Sequence, residues 1–225
     1  PNRALRKLDT VVNPDMIELI VPKVFGKHVG DQQSQDGRYC QIPAPHRQKT
    51  IASVARNPFS RYVSAYQYEA WKKRYQEVYA DQLMEDVPRF PALSFREYYD
   101  MVHSYRDDLR LDGIEPRVDL GVMTVQFIRF FFRHPDRVLA EIDDQYIASG
   151  AYREDMAPVV FLHQENLNDE LYQFLLSKGY PEEDVRFIRE AERVRVSKRG
   201  DEQQSFEDFY TADLVSTVLH RDRLL

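Results

Sequence analysis

Thr50-Ile51-Ala52-Ser53-Val54-Ala55-Arg56-Asn57-Pro58-Phe59-Ser60-Arg61-Tyr62-Val63-Ser64-Ala65-Tyr66 reads as a buried strand that turns straight into a helix, with a cation at the junction. Thr50 to Ala55 is short and rich in β-branched and small residues, which suits a strand covered on both faces. Asn57 followed by Pro58 is an N-cap followed by a proline at the first helical position, so the spacing predicts a helix that starts at Pro58. Its free N–H groups and positive dipole end would lie beside Arg56, and Ser64, two turns in, would offer a hydroxyl to the same anion. Arg61 reads as a structural ion pair on the helix. Without further context, an arginine at such a turn is also ordinary, solvated α/β architecture.

The pattern Arg-Asn-Pro-x-x-Arg-x-x-Ser-x-Tyr, here Arg56, Asn57, Pro58, Arg61, Ser64 and Tyr66, resembles the 3′-phosphate-binding motif of sulfotransferases that use 3′-phosphoadenosine-5′-phosphosulfate (PAPS) as donor. The resemblance implies that Arg56 and Ser64 bind the 3′-phosphate of the nucleotide. It implies an α/β fold, three-layer αβα around a central parallel sheet, P-loop-NTPase-like and helix-rich, as a single domain over residues 1–225 that is incomplete at its N-terminus. The implied reaction moves a sulfuryl group to the hydroxyl of a glycan, lipid or small alcohol and leaves 3′-phosphoadenosine-5′-phosphate (PAP), with no metal. His28, in Gly26-Lys27-His28-Val29-Gly30 and 28 positions before Arg56, takes the place of the family's catalytic base. Lys198 and Arg199, beside Ser197 in a basic loop, would cover the donor's phosphates.

Sulfotransferases of this kind carry a second donor loop, Pro-Lys-x-Gly-Gly-Thr-Ser-like, after an N-terminal strand. Val21-Pro22-Lys23-Val24-Phe25-Gly26 is the nearest approach, and it lacks the paired small residues and hydroxyl that let backbone amides close around a phosphate. The expectation is that the loop lies upstream of Pro1.

Composition is compatible with this reading. A hydrophobic share of 43% with 30% charged residues is that of a globular, soluble protein, and no apolar run approaches the ~20 residues of a membrane span. A net charge of −6 argues against nucleic-acid binding through bulk electrostatics. The single cysteine, Cys40, excludes an intramolecular disulfide and a cysteine-rich zinc site. A cytoplasmic protein is expected, or a Golgi-lumen one if this is an excised catalytic domain.

Along the rest of the chain, Pro14 to Ile20 reads as a short helix and Tyr62 to Tyr79 as one long helix. Ser94 and Glu97 have capping-box spacing, and Leu120 to Phe132 reads as a buried aromatic helix. Pro158 to His163 reads as a second buried strand, with His163 structural, before a helix from Asp169 to Lys178 closed by Gly179. Thr211 caps a last helix, Ala212 to Leu219. Strands alternating with helices predict a parallel sheet with ligands at the carboxyl ends of its strands. The rival readings are a P-loop-type phosphotransferase, a catalytically inactive nucleotide-binding protein and a helical interaction module.

Overall fold

The computed structural model of the chain describes residues 17–20 as backbone, and 38–105, 114, 116–191 and 205–225. In chain order its elements are β1 (Ile17–Ile20), β2 (Thr50–Ala55), α1 (Pro58–Tyr68), α2 (Ala70–Asp86), α3 (Phe95–Ser104), α4 (Val122–Phe131), α5 (Pro135–Glu141), α6 (Asp144–Ser149), α7 (Tyr152–Asp155), β3 (Val159–His163), α8 (Leu167–Ser177), α9 (Glu182–Val185), α10 (Phe187–Glu190) and α11 (Ala212–Arg221). They fall into two compact units, one holding the strands with α8 to α10, the other holding α1 to α7 with α11.

In the first unit the strands form a parallel sheet in the order β1-β2-β3. Thr50–Ala55 is the strand read from the sequence, and Ile51, Ala52 and Ser53 are buried. Ile17–Ile20 corrects the helix expected from Pro14: it is a strand, with Ile17 opposite Thr50 and Ile20 opposite Ser53. A short apolar run has no decisive period, and the neighbouring strand sets its state. β3 is less enclosed than expected, since Leu162 alone of its residues is buried and Val160 is 39% exposed. Ala52 and Leu162 pack against Tyr172, Phe174 and Leu175 of α8, with Val185 and Ile188 behind them. Gly179 closes α8 at φ 83°, where the missing Cβ removes the strain, and the Gly179 and Tyr180 amides return to the carbonyls of Leu176 and Leu175.

In the second unit the long helix expected over Tyr62 to Tyr79 is broken. α1 stops at Tyr68, Glu69 takes a left-handed conformation at φ 59°, and α2 restarts at Ala70. Packing forces the break: the Trp71 indole N–H donates to the Tyr66 carbonyl at 3.0 Å, and the ring stacks on Tyr66. Tyr66 also meets Phe95, Tyr98 and Phe209, so the aromatic residues are chiefly core. α3 begins with the expected capping box between Ser94 and Glu97. Ile128, Phe132, Leu139, Ile142 and Leu224 form a separate apolar cluster around α4 and α5. Thr211 caps α11, its hydroxyl accepting from Leu214 N–H, and the helix runs two residues beyond the expected end.

Candidate functional site: the carboxyl edge of the sheet and helix α1

Three parallel strands end on one edge of the sheet. Ala55 is opposite His163 in the register, so Arg56, the next residue, follows the strand end directly beside β3. Arg56 is half-buried; burial lowers the pKa of its guanidinium, and the charge of Glu165, two residues beyond β3, opposes that shift. His163 is clamped by Glu170 of α8. Its backbone N–H donates to Glu170 Oε2 at 2.5 Å, and its Nδ1 lies 3.2 Å from both carboxylate oxygens. A carboxylate only accepts, so Nδ1 carries the proton in this pair. The ring is 64% exposed, and the carboxyl edge therefore presents arginine, imidazole and carboxylate together.

Helix α1 starts at Pro58, as the sequence indicates, but its amides are not free. Asn57 Oδ1 accepts from Phe59 N–H at 2.8 Å and from Ser60 N–H at 3.4 Å, while Arg61 N–H donates to the Asn57 carbonyl at 3.0 Å. Pro58 has no N–H, so the first turn is fully occupied by its own cap. Any anion here is bound by side chains and the helix dipole, which corrects the expectation of free amides. Ser64 is half-buried on α1. Arg61 reaches across to α4, its Nη2 donating to Gln126 Oε1 at 3.0 Å. Tyr66, the last motif residue, donates its hydroxyl to the Leu93 carbonyl at 2.7 Å and is part of the core.

The residue that sequence reading missed is Asp222. It is buried, and its carboxylate accepts from the Tyr62 hydroxyl of α1 and from the Thr124 amide of α4, both at 2.8 Å. Burial pushes its carboxyl up to about 6, against the hydrogen bonds that favour the charged form. Burial, followed by the Asp222 charge, pushes the Tyr62 phenol well above its usual range. His103 stands next to this pair, its Nδ1–H donating to the Tyr99 carbonyl at 2.7 Å and its Nε2 facing Tyr62 Oη and Val122 N–H at 3.4 Å each.

His28, Ser197, Lys198 and Arg199 lie outside the described residues. Arg56 closes one unit and Ser64 belongs to the other, while His163, read as structural for want of a partner, joins Glu170. Only the spacing of a strand end to the first turn of the next helix could have signalled that pair. Among the described residues no group of His, Cys, Asp and Glu is placed to hold a metal, and no helix is long and apolar enough to cross a membrane. Comparison with protein-family models, curated proteins and solved structures gives no match to the chain.

Proposed function

We propose that the chain is a PAPS-dependent sulfotransferase, with Arg56 and Ser64 binding the 3′-phosphate of the nucleotide, in a three-layer αβα fold. One observation carries this reading: β2, Arg56, the Asn57 cap and the Pro58 helix start follow one another without a spacer, at the carboxyl edge of a parallel sheet. Open parallel sheets bind ligands at that edge, and a half-buried arginine there supplies a charge-assisted contact to a phosphate.

The strand β1 supports the reading independently. It is parallel to β2 and ends at the same edge, one residue before Val21-Pro22-Lys23. In the reaction the acceptor oxygen forms a bond to sulfur as the sulfur–oxygen bond to the nucleotide phosphate breaks. The electron pair leaves with that phosphate, and Lys198 and Arg199 add charge over the phosphates. The hydroxyl proton passes to His28 as base.

The test is calorimetric titration of the chain with PAP against 5′-AMP, which lacks the 3′-phosphate. The expected result is a preference for PAP of at least about tenfold, lost in Arg56→Ala, since a charged hydrogen bond contributes about 1.5–3 kcal/mol. Equal binding of both nucleotides would overturn the assignment. Preference for PAP in a chain that never turns over PAPS would instead favour the inactive nucleotide-binding protein.

A further inference from the structure

The start of α1 is tied to its own unit at three successive points. The Tyr210 hydroxyl donates to the Phe59 carbonyl at 2.9 Å, Arg61 donates to Gln126 at 3.0 Å, and Tyr62 donates to Asp222 at 2.8 Å. Two of these three ties come from the C-terminal segment. The third partner, α4, is itself bound to that segment, because Thr124 N–H donates to Asp222 and Gly121 N–H donates to the Arg221 carbonyl at 2.8 Å. The approach is close enough that a Cβ on Gly121 would stand 2.1 Å from Asp222 Oδ1.

A buried carboxylate is a costly way to join helices if stability is the only gain, since an apolar contact of the same volume is usually as stabilising. A hydrogen bond to it fixes direction, which an apolar contact does not. On an α-helix successive residues turn by about 100°, so Tyr62 and Ser64 point about 200° apart, roughly 3 Å along the axis. Fixing the Tyr62 hydroxyl on Asp222 fixes the outward bearing of Ser64.

We infer that Tyr62 and Asp222 are positioning residues for nucleotide recognition: the C-terminal segment holds α1 at one rotation, and so aims Ser64 at the 3′-phosphate. This rests on the sulfotransferase reading above. Neither residue touches the nucleotide, and both act through the helix that carries Ser64.

Tyr62→Phe removes one hydroxyl and keeps the ring packed on Tyr99, 5.1 Å away edge to face. Asp222→Asn keeps an acceptor for Thr124 N–H and is the second variant should the first fail to fold. The experiment titrates PAP and 5′-AMP into the full chain as wild type, Tyr62→Phe, Asp222→Asn, Ser64→Ala and the Tyr62→Phe/Ser64→Ala double variant, with the thermal midpoint recorded for each. The expected result is a loss of about tenfold in PAP affinity for each single variant, the worth of one hydrogen bond. 5′-AMP binding should not change, and Ser64→Ala should add almost nothing once Tyr62 is Phe. Unchanged PAP affinity in Tyr62→Phe and Asp222→Asn, with only the midpoint lowered, would overturn the inference and leave a fold-stabilising contact. Fully additive losses would overturn it too. A wild type that binds PAP no better than 5′-AMP would overturn the sulfotransferase reading itself, a different result from either.

Discussion

Asp222 is where a single side chain sets a measurable property. Its carboxyl is pushed from an ordinary 3.8 up to about 6 by burial, so the folded state holds this proton more tightly than the unfolded chain does. The associated stability is fully present below about pH 4 and lost as the pH rises to about 6, an effect of about 3 kcal/mol at 1.4 kcal/mol per unit. Around Asp222 stand Tyr62 and Tyr99, with His103 beside Tyr62 and with Arg221 and Asp119 beside Tyr99. Urea unfolding of wild type and Asp222→Asn at pH 4 and pH 7 isolates the term. The wild type should lose its advantage over the variant between the two pH values, and a constant difference would contradict the burial. Gly121→Ala should destabilise by about 3 kcal/mol or more, because its Cβ collides with the Asp222 carboxylate, which the bonds from Tyr62 and Thr124 hold in place. A melting temperature within a degree of wild type would contradict that. Nothing in Arg221-Asp222-Arg223 marks this aspartate in the sequence, because a burial created by α4, α1 and α11 together has no local pattern.

Elements whose causes are local were legible. The N-cap at Asn57, the proline at the first turn of α1, the capping box of α3 and the glycine closing α8 each act through atoms a few residues apart, and each is found where the sequence places it. Ser94→Ala should cost about 1 kcal/mol, or about 2–4 °C of melting temperature for a chain of this size; an unchanged midpoint would mean that α3 is held by its aromatic face alone. Elements whose causes are distant were misread. β1 is a strand because β2 pairs with it, and α1 ends at Tyr68 because Trp71 must turn back onto Tyr66. Of the proposed donor site, the order of strand, arginine and capped helix was legible. The occupied amides of α1 were not foreseen, since Asn57 serves its own helix where the motif suggested amides free for a ligand.

At the level of the molecule, the aromatic residues are concentrated in one of the two units, where Tyr62, Trp71, Tyr75, Tyr98 and Tyr99 are almost fully buried. Trp71 is the single tryptophan of the chain, so its fluorescence reports this unit alone. Its emission should be blue-shifted in the native protein and shift red on unfolding, whereas native emission like that of a solvated indole would contradict the packing. Trp71→Phe should weaken the unit by removing both the indole hydrogen bond to Tyr66 and part of the ring contact, a loss of about 1–3 kcal/mol by the worth of those terms. By itself the sequence determined the α/β class, the strand at Thr50–Ala55, the helix start at Pro58 and the position of Arg56 between them. Period, capping and proline geometry act within a few residues and are written in order along the chain. Only the tertiary structure decided that β1 joins the sheet, that Glu170 clamps His163 and that Asp222 holds Tyr62. Those contacts join residues up to 160 positions apart, and which distant groups meet is fixed by packing rather than by neighbours in sequence.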